Sequence, residues 1–343
     1  MSEHFIKITK FNPRISTENL GDYIIEDSCN DVLSELFGEY MGIDVSTRDH
    51  LSHTSKRKVA TSDYSFVFGT NLLSSNMNKW KQWNITLTDS HLIRYGDVRK
   101  KDILNYKRLK EKADNVHVIL LGVGWFSYQF SPNRYTYMLL HTLLDNHFIH
   151  SVRDSYTENM LKNIGIKNVI NTACPTMWNL NPDFCASIPS EKAPAVVTTL
   201  TDYRTSPELD IKLLTILKSY YGRVLIWIQS PKDYEYLKEI GQLDKVEIIP
   251  PTLKAYDEVL DTQLVDYVGT RLHGGIRALN HRRRSCIIAV DNRAIEISKD
   301  TNLPVIDRTE LGDSLCKWII NRTETNIHLP TDNITRWKAQ FSS

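Results

Sequence analysis

Residues 264–277 read L-V-D-Y-V-G-T-R-L-H-G-G-I-R, and this stretch decides the fold class. An apolar run ends at Gly269, Arg271 and His273 follow, and Gly274-Gly275 then opens an amphipathic segment carrying Ile276, Ala278 and Leu279. The order is strand, tight turn, helix. It belongs to open α/β sheets, whose ligands bind in the crevice outside the carboxyl ends of the strands. A glycine-rich helix start offers backbone N–H groups and the positive end of the dipole to a phosphate or carboxylate. Arg271 adds a planar fork for an anion, and His273 adds a group that titrates near neutral pH. Taken singly, a loop arginine or histidine is more often structural. Their spacing across a strand-to-helix turn, beside paired glycines, points to an anion-binding, proton-moving site.

Strand-like and helical patterns alternate outward from this stretch. Residues 5–8, 64–68, 116–121 and 148–152 are short and rich in β-branched or aromatic side chains, as strands are. Residues 24–37, 134–144 and 156–164 carry helical spacing, the first behind Asp22 as its expected N-cap. A turn-rich break covers residues 182–194, and the alternation then restarts. Strands are expected at 195–200, 224–229, 246–249, 264–268 and 286–290, with helices at 209–220, 234–240 and 256–261 between them. The alternation predicts mostly parallel sheets with helices on both faces. Two Rossmann-like domains facing across a cleft follow, at residues 1–188 and 189–330.

Bulk properties exclude several classes. A chain of 343 residues has length for two domains. Its 41% apolar and 24% charged residues are ordinary for a globular protein. A net charge of +1 gives no electrostatic case for nucleic acid. Five scattered cysteines, Cys29, Cys174, Cys185, Cys286 and Cys316, show no metal or redox spacing and read as reduced thiols of a cytoplasmic protein. No apolar run approaches the roughly 18 residues of a membrane span, and no secretory signal is visible. The 11 histidines show no H-x-x-x-H pattern, so no metal site is expected. His147 and His150 read as structural.

The segment Gly269-Thr270-Arg271-Leu272-His273, preceded by Asp266 and followed by Ile276, Ala278 and Leu279, resembles the C-terminal signature of the polysaccharide pyruvyl transferases. Asn19-Leu20-Gly21-Asp22 is similar to that family's N-x-G-D element, and Val152-Arg153-Asp154 to its mid-chain V-R-D element. Thr172-Ala173-Cys174-Pro175-Thr176 fits the segment after it. The four elements stand in the family's order. Three departures stand beside them: Gly69-Thr70-Asn71 replaces a frequent glycine triplet, His281-Arg282-Arg283-Arg284 replaces a turn of small residues and proline, and Asn292 or Arg293 replaces a common lysine. By default the arginine run reads as a solvated turn. The alternative is a holder of an acidic acceptor or a lipid-phosphate surface at the inner face of a membrane.

The resemblance implies a two-domain, glycosyltransferase-like (GT-B-like) fold whose last segment, 331–343, forms a helix crossing back to the first domain. It implies phosphoenolpyruvate as co-substrate, with no cofactor and no metal, and a glycan or lipid-linked sugar as acceptor. The reaction protonates the enol carbon, lets a sugar oxygen attack the oxocarbenium-like centre, and releases phosphate as the ketal closes. On that reading His273 is the general acid and Asp22 the base or acceptor-orienting carboxylate. Arg271, Gly274, Gly275 and Arg153 bind the donor, and Asn19, Gly21 and Asn71 bind the acceptor. Arg153 and Asp154 have a competing structural reading as an ion pair. Two other functions fit the same architecture: a nucleotide-sugar glycosyltransferase, with Glu296 as the ribose-gripping carboxylate, and a non-catalytic glycan-binding relative.

Overall fold

The computed structural model describes residues 5–96 and 113–342. They divide into two compact units: residues 1–17, 25–175 and 330–343 form one, and residues 18–24 and 176–329 the other.

The first unit is built on a parallel sheet of β1 (Lys7–Asn12), β2 (Met41–Ser46), β3 (Tyr64–Phe68) and β4 (Val118–Leu121), in the order β2-β1-β3-β4. Register sets Phe11 against Val45 on one side and Val67 on the other. β4 is a continuous apolar run and β3 is broken only by Ser65, and both are buried along nearly their whole length, the usual state of strands in a parallel sheet. A short parallel pair, β5 (His150–Val152) and β6 (Val169–Asn171), extends this layer, with the Gly122 N–H donating to the Ser151 carbonyl at 3.0 Å. The core gathers Phe11, Val67, Leu120, Trp83, Trp125 and Leu139, all buried. Gly69 and Gly122 meet where β3 and β4 end. A Cβ on Gly69 would lie 2.3 Å from the Gly122 carbonyl oxygen, so the two backbones touch only because this side chain is missing.

The helix Thr331–Ala339 belongs to this unit. Trp337 is fully buried, and Phe341 lies against Phe37, Phe66 and Phe148 with ring centroids 5.4–5.6 Å away. Lys338 pairs with Glu35, and the Gln340 amide exchanges two hydrogen bonds with the Ile149 backbone.

The second unit carries six parallel strands: β7 (Ala195–Thr198), β8 (Arg223–Trp227), β9 (Glu247–Ile249), β10 (Val265–Gly269), β11 (Ser285–Ala289) and β12 (Val305–Asp307). Their order is β12-β11-β10-β7-β8-β9. The chain winds outward from β7 through β8 to β9, then returns to β7's other side with β10. β7 and β10 therefore flank the topological switch point. Val196, Leu213, Leu217, Ile226, Val268 and Ile288 are among the buried side chains of the core. Among the described residues no helix is long and apolar enough to cross a membrane.

The α/β architecture with parallel sheets is the one expected, but four details differ. β2, β6 and β12 were not anticipated, because β2 and β12 are half-exposed edges without alternation and β6 has only three residues. The division falls at residues 175 and 176 rather than 188. The turn-rich stretch misleads because Asn181 caps a short helix, Pro182–Ala186, whose Cys185 is buried. Asp22 is not an N-cap. The helix begins at Leu20 (Leu20–Phe37), and Asn19 caps it, its Oδ1 accepting the Gly21 N–H at 3.1 Å. Finally, the arginine turn is a solvated charge run only in part, at the exposed Arg282. Arg284 is buried, stacks 4.0 Å from the Trp318 ring and donates to the Trp318 and Ile319 carbonyls. Arg283 donates to the Leu260 and Asp261 carbonyls, and Arg282 lies over Phe184. Arg283 and Arg284 thus satisfy the unpaired carbonyls that end two helices, Leu253–Thr262 and Asp313–Ile320.

Candidate functional site

At the switch point the chain leaving β7, Thr199-Leu200-Thr201-Asp202, runs beside the chain leaving β10, Thr270-Arg271. The Thr270 N–H donates to the Thr199 carbonyl at 3.0 Å, and the Arg271 N–H to Thr199 Oγ1 at 3.1 Å. The Thr201 and Thr270 hydroxyls are 2.8 Å apart. Gly269 makes this approach feasible, since a Cβ there would lie 2.5 Å from Thr199 Oγ1. Beneath the turn, the fully buried Tyr267 hydroxyl donates to the Arg271 carbonyl at 2.7 Å. Burial pushes that phenol far above its ordinary range and keeps it a donor.

Arg271 is 4% exposed. Its Nε donates to the Leu200 carbonyl at 3.1 Å, and its Nη2 donates to Asp202 Oδ1 at 2.8 Å and Asp233 Oδ1 at 2.5 Å. Burial works against the guanidinium charge, but its neighbours, Asp233 first and then Tyr203 and Asp202, outweigh it and hold the group above its usual pKa. Arg271 is therefore charged and fixed in direction. The half-exposed Tyr203 ring lies 5.1 Å from it and 5.8 Å from Arg293, whose Nη2 donates to the Tyr203 hydroxyl at 2.6 Å while pairing with Asp291. Arg293, one of the two residues that the resemblance sets against a common lysine, thus belongs to the same cluster.

The helix Leu272–Asn280 starts at once after Arg271, which occupies its N-cap position without a side-chain cap bond. His273, its second residue, is 8% exposed. The paired glycines serve packing first. A Cβ on Gly275 would meet Ile287 Cγ1 at 2.6 Å and Tyr267 Cε1 at 2.9 Å, and one on Gly274 would meet Gln229 Nε2 at 2.9 Å. Their absence lets the helix start settle onto β10 and β11. The Gly275 N–H is taken by the Arg271 carbonyl, so the expectation that both glycine N–H groups face a ligand narrows to the first turn, through Gly274.

The Asn19-Leu20-Gly21-Asp22 element joins this unit rather than the first domain, where it was expected. The reason is main-chain pairing: the Leu20 N–H donates to the Gln229 carbonyl at 3.3 Å. Gln229 follows β8, and its own N–H donates to Asp233 Oδ2 at 3.1 Å, as does that of Ser230. Asp22 is buried in the helix's first turn. Asn19, Gly21, Asp22, Arg271, His273, Gly274 and Gly275 are thus all held by one unit.

Arg153 and Asn71 lie in the other. Arg153 is 1% exposed, and its guanidinium covers Gly124, where a Cβ would sit 2.1 Å from Cζ. Nε donates to Asp154 Oδ2 at 3.1 Å and Nη2 to Asn71 Oδ1 at 2.5 Å, while Asp154 Oδ1 caps the helix Ser155–Asn163. This pairing is the structural alternative raised from the sequence, and it ties Asn71 to Arg153 instead of leaving both to ligands.

Sequence reasoning missed Thr199, Asp202, Gln229, Asp233 and Tyr267. The signal for Asp233 was present in Ser230-Pro231-Lys232-Asp233, a helix start directly after a strand. Nothing local marks Thr199 or Tyr267, whose roles arise from the β7–β10 pairing.

Three solved structures are similar over nearly the whole chain. The Methanocaldococcus jannaschii UDP-GlcNAc 2-epimerase shares 13% identity, with 94% of each chain covered and a TM-score of 0.46. S. aureus MnaA shares 12%, covering 92% of this chain and 88% of that one, at 0.46. The lipopolysaccharide outer core galactosyltransferase WaaB shares 10%, covering 92% and 90%, at 0.44. No curated protein sequence matches. The profile of the family described as polysaccharide pyruvyl transferase matches residues 19–292, from the Asn19 cap to the cluster at Asn292, and on that match the chain belongs to the polysaccharide pyruvyl transferase family.

Proposed function

We propose that this protein transfers the pyruvyl group of phosphoenolpyruvate to a pair of sugar hydroxyls on a cell-surface polysaccharide or its lipid-linked precursor. The observation that carries the proposal is that Arg271 and His273 are the N-cap and the second residue of a buried helix start at the switch point, with Asp22 in the same unit. Arg271, fixed by Asp202 and Asp233, and the helix dipole supply positive potential for an anionic donor. His273 protonates the enol CH2 carbon, converting it to CH3. One sugar hydroxyl then adds to the cationic carbon and the second displaces phosphate; of the two hydroxyl protons, taken up by Asp22 in its proposed role as base, one restores His273 and the other leaves with the phosphate. Family membership supports the transferase class; the donor, the acceptor and these roles are the proposal.

Phosphate release from phosphoenolpyruvate on addition of a panel of lipid-linked or nitrophenyl sugars tests it. Thermal stabilisation offers a faster test, because a ligand at 100 times its Kd raises stability by about 2.7 kcal/mol. Stabilisation by phosphoenolpyruvate and not by nucleotide sugars is expected. Stabilisation by UDP alone would replace the donor and make the protein a glycosyltransferase.

A further inference from the structure

Gln229 is held at three points and left open at a fourth. Its N–H is fixed to Asp233 Oδ2, its carbonyl to the Leu20 N–H, and its side chain is 1% exposed. Its Nε2 is buried and has no hydrogen-bond partner. Buried polar groups in native proteins are nearly always paired, and an orphan calls for a cause. Other buried orphans lie in both units, Trp83 Nε1 in the first unit's apolar core and Thr198 Oγ1 and Trp227 Nε1 in the second. Gln229 differs in its place. Its Nε2 would stand 2.9 Å from a Cβ on Gly274, against the first turn of the nine-residue helix Leu272–Asn280.

We infer that the Gln229 amide donates a hydrogen bond to a phosphoryl or carboxylate oxygen of the anionic donor seated at this helix start. The inference rests on the reading of that site as a donor site. Asp233 organises the arrangement, since one of its oxygens fixes the Arg271 guanidinium while the other fixes the Gln229 backbone. A single carboxylate thereby ties the Arg271 guanidinium to the backbone that carries the Gln229 amide. Gly274 is glycine, on this account, because any side chain would displace the amide from its position.

The test uses the full chain with three probes, phosphoenolpyruvate, inorganic phosphate and UDP, and measures affinity calorimetrically alongside the melting temperature of ligand-free protein. Gln229→Met keeps the length of the side chain and removes the amide. It should weaken the probe that binds wild type by about tenfold or more, the worth of one hydrogen bond to a charged group. It should leave the melting temperature unchanged or raise it, because an unpaired buried amide is gone. Gln229→Glu should weaken binding further by like-charge repulsion. A structural glutamine gives the opposite pattern, a lower melting temperature with affinity intact in the folded protein, and that result overturns the inference. If wild type binds UDP but not phosphoenolpyruvate, and Gln229→Met weakens UDP tenfold, the amide assignment stands and the pyruvyl-donor reading falls. Binding of none of the three probes by wild type overturns both.

Discussion

Asp233 grips Arg271 with one carboxylate oxygen, Oδ1 standing 2.5 Å from Nη2, while its other oxygen accepts the N–H groups of Gln229 and Ser230 at 3.1 Å each. The arginine that the sequence offers as a fork for an anion is a fixed part of a buried ion cluster. Its direction is set by the strand-to-helix turn after β8, on the neighbouring side of the switch point.

Asp233→Asn should therefore act through Arg271. It removes the buried carboxylate charge while Asp202 remains, and breaking one partner of a buried pair costs about 3 kcal/mol. The melting temperature should fall, and kcat/KM for phosphoenolpyruvate should fall at least tenfold. Asp202→Asn, with its carboxylate more exposed, should do less on both counts. Equal kcat/KM for wild type and Asp233→Asn would show that the cluster is structural only.

His273→Gln keeps a side chain of similar size with one donor. If His273 is the acid for the enol carbon, the variant should fold as wild type, bind phosphoenolpyruvate and lose turnover by roughly 100-fold or more, the usual worth of a positioned proton donor. Single-turnover kinetics beside calorimetric binding separate the two effects. A lowered melting temperature with full turnover in the folded fraction would remove His273 from the chemistry.

Gly275→Ala tests how closely the helix start is seated. Its Cβ would lie 2.6 Å from Ile287 Cγ1, and overpacking of this kind costs about 1–3 kcal/mol. The displaced helix should weaken donor binding as well. Ile287→Ala in the same chain opens the space and should restore much of both losses, so a double-mutant cycle must show strong coupling. Additive losses would place the cause elsewhere.

Arg284→Met should destabilise by about 3 kcal/mol, since it leaves Asp266 buried without its cation and uncovers the Trp318 and Ile319 carbonyls. Pairing it with Asp266→Asn should recover part of that loss by removing the stranded charge. Chemical denaturation of the two variants gives the comparison. A cost below about 0.5 kcal/mol, the level of an ordinary surface substitution, would return Arg284 to the solvated turn that the sequence suggests.

His150 gives the chain an acid limit. Its Nδ1 accepts the Leu120 N–H at 3.2 Å, its Nε2–H donates to the Asp145 carbonyl at 2.8 Å, and burial lowers its pKa to about 4. The folded state thus holds a neutral ring while the unfolded chain protonates near 6.5. Between those values the unfolded state binds more protons, so stability is complete above about pH 6.5 and declines as pH falls towards 4, by at most about 3 kcal/mol. His150→Gln should lower stability at neutral pH and flatten this decline. An unchanged slope would assign the acid sensitivity to other groups.

The alternation of apolar runs and helical patterns made the α/β class legible, because strands such as 64–68 and 264–268 are mostly buried and carry mainly β-branched, aromatic and other apolar side chains. The R-x-H element with its two glycines was legible for the same reason, being local. What could not be read is non-local. Residues 18–24 group with the second unit, where the Leu20 N–H meets the Gln229 carbonyl, and Arg271 is bound by carboxylates 69 and 38 residues away. The arginine turn misled because a charge run says nothing of helix ends that need donors.

The position of Phe341 has a consequence for how the chain is made. Trp337 and Phe341 fill space among Phe37, Phe66 and Phe148, yet the ribosome adds them after every residue of the second unit. Domains usually fold in the order of their synthesis. Here the second unit, complete at residue 329, has all its own strands before the first unit has its last aromatic side chains. During synthesis the first unit must wait with an open apolar face, and a shortened chain lacking residues 330–343 would carry that exposed face permanently, as a seed for aggregation rather than a trimmed enzyme.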